Sequence, residues 1–282
     1  MTDLGYTFAS FLVRRLSPGA MDRLLHAIAD GYALAHPRRA RAVERNLAWI
    51  WKDAKREGPP PRARETYRAF ARALRAFLES DEAEAPGSRV RLSEASRRAL
   101  KEARRSKRGA VLVSSHIGPW ERALQWLAAE LGGVEALAAR HKLAAVDRFF
   151  IERRARGGVR TLCSSRPVMS ALQSLKAGGW IAALADRPRR GSARQGIVAI
   201  DRGPLLLARR AGALVIPGVS TFAADGSLEI DFDAPFSLDP ARGLDILEGQ
   251  ARLQRFFDGH VRARPTQWFE WRAVPRLSAS GW

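Results

Sequence analysis

Beyond Gly109 the chain alternates short apolar runs with amphipathic stretches of ten or more residues: AVLVSS, VEALAAR, WIAALAD, GIVAI, ALVIPGV and LEIDFD. Runs of this length, bounded by turn residues, read as buried strands, and the periodic segments between them read as crossover helices. A strand that is apolar on both faces needs cover on both faces, and helices supply it. The expected core is therefore an α/β domain with a mixed, mostly parallel sheet flanked by helices.

Residues 1 to about 106 have a different texture. They are rich in Ala, Arg and Leu, with breaks at Ser17-Pro18, His36-Pro37 and GPPPR, which predicts four or five helices before any strand. The opening LGYTFASFLVRRL, followed by AMDRLLHAIADGYALAH, places apolar and charged positions at helical spacing and suits a helix lying on a membrane or on the protein's own core. A last amphipathic helix is expected near 240 to 263. It leads into RPTQWFEW, whose Trp268, Phe269 and Trp271 suit a packed plug or a membrane interface. The organisation expected is a helical layer over 1–106, facing a membrane or the core, and an α/β core over 107–282, together one compact unit.

The chain carries 48 Lys and Arg against 29 Asp and Glu, a formal charge of +19, so its partners are expected to be acidic. RARGGVR and RPRRGSAR are candidate contact patches, and part of the arginine excess lies in helical stretches such as RRARAVERN. One cysteine, Cys163, rules out an internal disulfide framework. The longest uncharged stretch, AGALVIPGVSTFAA, has 14 residues interrupted by Gly and Pro, too short for a membrane span and suited to a buried strand. His141 and Asp147 form no H-E-x-x-H pattern, GGV and GGW lack phosphate-loop spacing, and Ser114-Ser115 lacks a nucleophile elbow. No metal and no cofactor is implied.

The turn VSSHIGPWERAL holds the candidate site residues. AVLVSS ends as a strand and PWERALQWLAAEL begins a helix, with Gly118 as cap and Pro119 at the first helical position. His116 then lies in the strand-to-helix turn. In a continuous helix a five-residue spacing leaves two side chains about 140° apart. With His116 outside the helix, Glu121 in the first turn is free to fold back toward the imidazole. Such a pair suits a general base, the carboxylate fixing the tautomer while the other nitrogen takes a proton from a hydroxyl. A capping carboxylate beside a solvated histidine fits the same spacing.

SSHIGPWE resembles the H-x4-[DE] signature of glycerolipid and lipid A acyltransferases, in particular the branch that adds secondary lauroyl or myristoyl chains to lipid A. Further segments resemble that family in order: AARHKLAAVDRFFIERRARGGVRTL, GGWIAALADRP, DRGPLLLARRAGALVIPG and RPTQWFEW. The resemblance implies transfer of a medium or long acyl chain from a carrier thioester to a lipid hydroxyl, with His116 as general base and Glu121 orienting it. It implies that Arg140 binds phosphate or polarises a substrate and that Asp186 is an acidic substrate-binding residue beside the site. It also implies acidic acyl carrier protein or acyl-coenzyme A as donor, a lipid or glycolipid acceptor, and peripheral association with the anionic cytoplasmic face of the bacterial inner membrane, without nucleic acid. The alternatives are another acceptor, such as a glycosylated phospholipid, and a non-catalytic basic protein that binds membrane or nucleic acid. Two departures stand out: GIVAI runs almost directly into DRGP, where the family carries a longer segment, and Arg187 follows Asp186 where Gln is common.

Overall fold

The computed structural model describes residues 15–79, 90–163, 166–187, 196–238 and 245–274. Among the described residues eight strands form the sheet: β1 Val90–Leu92, β2 Ala110–Ser114, β3 Val134–Leu137, β4 Val159–Thr161, β5 Trp180–Leu184, β6 Leu214–Phe222, β7 Leu228–Phe232 and β8 Phe236–Ser237. Their order is β1-β7-β6-β2-β5-β3-β4, with β8 beside β6. The neighbours β2–β5, β2–β6, β3–β5, β3–β4 and β1–β7 run parallel, while β6–β7 and β6–β8 are antiparallel. The mostly parallel sheet expected from the apolar runs is thus present.

Strand β2 is central because nothing in it needs water. Ala110, Val111, Leu112 and Val113 are all buried, with Val111 and Val113 in one core cluster and Ala110 and Leu112 in the other. The first cluster adds Ile181, Val215, Leu175, Leu205, Leu253 and Phe257 on one face of the sheet; the second adds Leu127, Ile216 and Ile230 on the opposite face. Burying one such Ile or Leu stabilises the fold by about 1.5–3 kcal/mol. GIVAI, expected to be a strand, forms none. Its backbone donors turn instead to a side chain: Ile197 and Val198 N–H donate to the Asp258 carboxylate at 3.0 and 2.8 Å, and the Ile200 carbonyl accepts from Gln250 at 2.7 Å.

The helical layer comprises α1 Pro18–Ala35, α2 Pro37–Asp53 and α3 Ala63–Leu78, with breaks where the prolines placed them. Ser17 caps α1 by accepting from Ala20 N–H, and Pro37 opens α2. The expectation of no strand before residue 106 is corrected by β1, which pairs with β7, so that α4 Glu94–Arg105 already packs on the sheet. Helices α5 Trp120–Leu131, α6 Ala144–Arg156, α7 Pro167–Lys176 and α8 Gly203–Ala211 follow β2, β3, β4 and β5, and α9 Ile246–Ala263 leads into a 3-10 turn at Pro265–Gln267. Asn46 of α2 clamps the segment beyond this turn, donating to the Arg272 carbonyl and accepting from Val274 N–H. Most of LGYTFASFLVRRL and of RPRRGSAR lies outside the described residues.

Candidate active site

The site is assembled by strand register. Ser114 of β2 pairs with Leu184 of β5, and Ala185 N–H donates to the Ser114 carbonyl at 2.8 Å. Two residues further along each parallel strand, His116 and Asp186 therefore emerge side by side at the carboxyl end of the sheet, where ligand sites of open parallel sheets form. Both oxygens of Asp186 are used: Oδ1 lies 2.7 Å from His116 Nδ1, and Oδ2 accepts His116 N–H at 2.8 Å. The aspartate side chain is 4% exposed and the histidine 16%. Burial acts to raise the Asp186 carboxyl, but the hydrogen bonds and charge of His116 outweigh it and hold the group below the ordinary carboxylate range. An ionised carboxylate only accepts, so in the neutral imidazole Nδ1 carries the proton and Nε2 presents a lone pair. The Trp120 ring meets the imidazole edge-on, with centroids 5.0 Å apart, and fixes its tilt.

This corrects the reading of the turn. Asp186, 70 residues away, makes the ring contact expected of Glu121, and no hydrogen bond or ion pair joins Glu121 to His116 among the described residues. Glu121 is buried in a bidentate pair with Arg154 of α6, one arm of which is Arg154 Nε to Oε2 at 2.9 Å. Burial acts against the Arg154 charge, and Glu121 more than compensates, raising its pKa. RARGGVR is accordingly not a contact patch throughout, because its first arginine is this buried partner. Beside it, Arg153 donates to the Phe77 carbonyl at 3.1 Å and to Leu78, closing the end of α3. Nothing in the local sequence marks Arg154 as the partner of Glu121; only the packing of α5 on α6 brings them together.

Arg140 lies in the loop after β3, at the same end of the sheet as His116. Its side chain is 74% exposed and donates through Nε to Asp147 at 3.0 Å. His141 N–H, the largest influence, and Arg140 together overcome burial and keep the Asp147 carboxyl low. No hydrogen bond or ion pair links Arg140 to His116 among the described residues.

Gly118 has another role than the cap expected of it. Pro119 occupies the cap position and α5 begins at Trp120. Gly118 has φ +57°, and a Cβ there would stand 2.1 Å from the Ser220 carbonyl oxygen, so no other residue fits this crossing. The turn is closed from outside by the aromatic segment. Gly118 N–H donates to the Gln267 carbonyl at 2.8 Å, Ile117 bridges Trp268, and Phe269 N–H donates to the His116 carbonyl at 2.9 Å. Trp268 and Phe269 are buried, as a plug requires.

A histidine with one nitrogen tied to an ionised aspartate and the other free, at the carboxyl end of a mostly parallel sheet, has the build of a general base acting on a hydroxyl. The class is that of the α/β acyltransferases. The chain belongs to the bacterial lipid A biosynthesis acyltransferase family, whose model matches residues 2–272. A crystal structure of the 1-acyl-sn-glycerophosphate acyltransferase from Thermotoga maritima is similar at 12% identity and a TM-score of 0.41, over 88% of this chain and 98% of that one. No curated protein matches the chain significantly.

Proposed function

We propose that the protein transfers a medium or long fatty acyl chain from a carrier or coenzyme A thioester to a hydroxyl of a lipid A precursor or related glycolipid. His116 Nε2 takes the hydroxyl proton as the oxygen attacks the thioester carbonyl. An ester C–O bond forms, the C–S bond breaks, and the proton passes to the leaving thiolate. Asp186 holds the tautomer and stabilises the imidazolium, and Glu121 positions the turn through Arg154 rather than through the ring. Arg140, exposed on the rim, meets acceptor or carrier phosphate. The observation that carries this reading is the contact of Asp186 with both the ring and the backbone N–H of His116.

The charge of +19 supports acidic carrier protein as donor and peripheral binding at the anionic cytoplasmic face of the inner membrane. No helix among the described residues is long and apolar enough to cross a membrane. Purified protein given acyl carrier thioester and extracted membrane lipids should release carrier thiol and form a lipid ester. His116→Ala should abolish both, and equal slow release by the two proteins would refute the proposal. Mass spectrometry of the product identifies chain and acceptor together, and a glycosylated phospholipid product would replace lipid A precursor as acceptor.

A further inference from the structure

A cleft lies on the other flank of the turn that carries His116. The cleft, of about 560 Å³, opens between α1 and α3 of the helical layer and the outer end of β6, where Phe222 and the segment 263–267 form its wall. None of His116, Asp186, Glu121 or Arg140 lines it. Asp186 approaches His116 from β5, on one side of β2, whereas the cleft sits against β6 on the opposite side. The wall between cleft and turn is Gln267, whose side chain bonds both the N–H and the carbonyl of Phe222 while its own carbonyl accepts from Gly118.

The cleft gathers more positive charge than its own carboxylates answer. Arg72 lies with Cζ 4.2 Å from the Phe222 ring centroid, and Arg56 with Cζ 4.9 Å from that of Trp51. Neither meets a carboxylate among the described residues: Arg56 spends one nitrogen on the carbonyls of Arg262 and Ala263, and Arg72 contacts the ring of Phe222. The other cations of the lining are engaged, Arg68 with Asp30 and Arg264 with Thr221 and Glu229. So are its acids, Asp22 with Arg75 and Glu65 with the backbone of Arg62. What is left over among the described residues is two guanidinium groups, each over an aromatic ring with most N–H donors unspent. Guanidinium donors in a fixed fork match phosphate oxygens, and contact with a ring restricts the side chain before a ligand arrives.

We propose that this cleft is a second ligand site, for a phosphate group held by Arg56 and Arg72 beside the apolar surface of Trp51 and Phe222. The phosphate belongs either to a lipid headgroup or to a soluble phosphoester. Acyl transfer does not enter the argument, so the site stands or falls apart from the reaction proposed above.

Calorimetric titration of the full chain with glycerol 3-phosphate tests the soluble source, and flotation with phosphatidylglycerol vesicles against neutral phosphatidylcholine vesicles tests the lipid source. Saturable binding to the first assigns a soluble phosphoester; binding to anionic vesicles alone assigns the headgroup. In either case Arg72→Gln should weaken binding about tenfold and Arg72→Glu abolish it, with the melting temperature unchanged because Arg72 is exposed and closes no helix. Arg210→Gln, exposed near the far end of α8, and His116→Gln should bind as the parent does. The proposal is overturned if neither probe binds, if Arg72→Gln binds normally, or if Arg210→Gln or His116→Gln loses as much as Arg72→Gln.

Discussion

Asp186→Asn keeps the side-chain volume and removes the charge that holds the imidazole, so its effect should fall on chemistry. The expected loss in kcat is about 10²- to 10⁴-fold with KM little changed, measured by thiol release. Its effect on stability has a defined pH window. A carboxyl whose folded pKa lies below the unfolded value of about 3.9 binds fewer protons when folded, so its benefit is full above that value and is lost as pH falls further, through the folded pKa. Urea melts of parent and Asp186→Asn should therefore differ most near neutrality and converge below about pH 4. Glu121 responds otherwise. Glu121→Gln leaves the Arg154 charge buried and should cost about 3–5 kcal/mol, and the joint change Glu121→Leu with Arg154→Met should recover much of it. A Glu121→Gln protein of unchanged stability with lost kcat would return the carboxylate to the reaction. The sequence already contained His116, Asp186 and Glu121 as candidates; which carboxylate served the ring was not legible, because the answer depends on the pairing of two strands far apart in the chain.

At the scale of elements, the strands that were legible are those whose apolar residues have nowhere else to go. AVLVSS and ALVIPGV are buried on both faces, WIAALAD alternates buried with half-buried positions, and among the described residues all three pair with neighbouring strands through their backbone. GIVAI has the same composition, yet Asp258 of α9 supplies acceptors that a neighbouring strand would otherwise have offered. Composition cannot distinguish the two cases, since the competing carboxylate lies 60 residues later. Burial drives the Asp258 carboxyl up against the pull of the two N–H groups, so its ionisation costs stability that the hydrogen bonds offset. Asp258→Ala is expected to destabilise by roughly 1–3 kcal/mol per orphaned donor, read from chemical denaturation. The strand β1 escaped notice for a different reason: VRL is three residues among charges, and only its partner β7 makes it a strand. Gly118→Ala should lose stability and activity together, because the left-handed backbone alone costs about 1–2 kcal/mol and the Ser220 carbonyl leaves no room for the methyl group.

For the molecule as a whole, the positive charge was plain from composition, but its distribution was not. Much of the arginine is consumed internally: Arg153 and Arg154 bind α6 to α3 and α5, and Arg108 donates to the Gly212 carbonyl and Ser237. The remainder is a long-range field whose effects are screened within about 8 Å at physiological ionic strength. Between 50 and 500 mM salt, KM for an acyl carrier protein donor should rise several-fold while kcat stays level; a KM independent of salt would argue against an acidic protein donor. The clasp of residues 267–269 on residues 116–118 spans more than half the length of the chain. During synthesis on the ribosome, the histidine therefore emerges long before the strands and the clasp that hold it. A nascent or prematurely terminated chain has His116 without its support, because Asp186 and the Trp268 segment both follow it in the sequence.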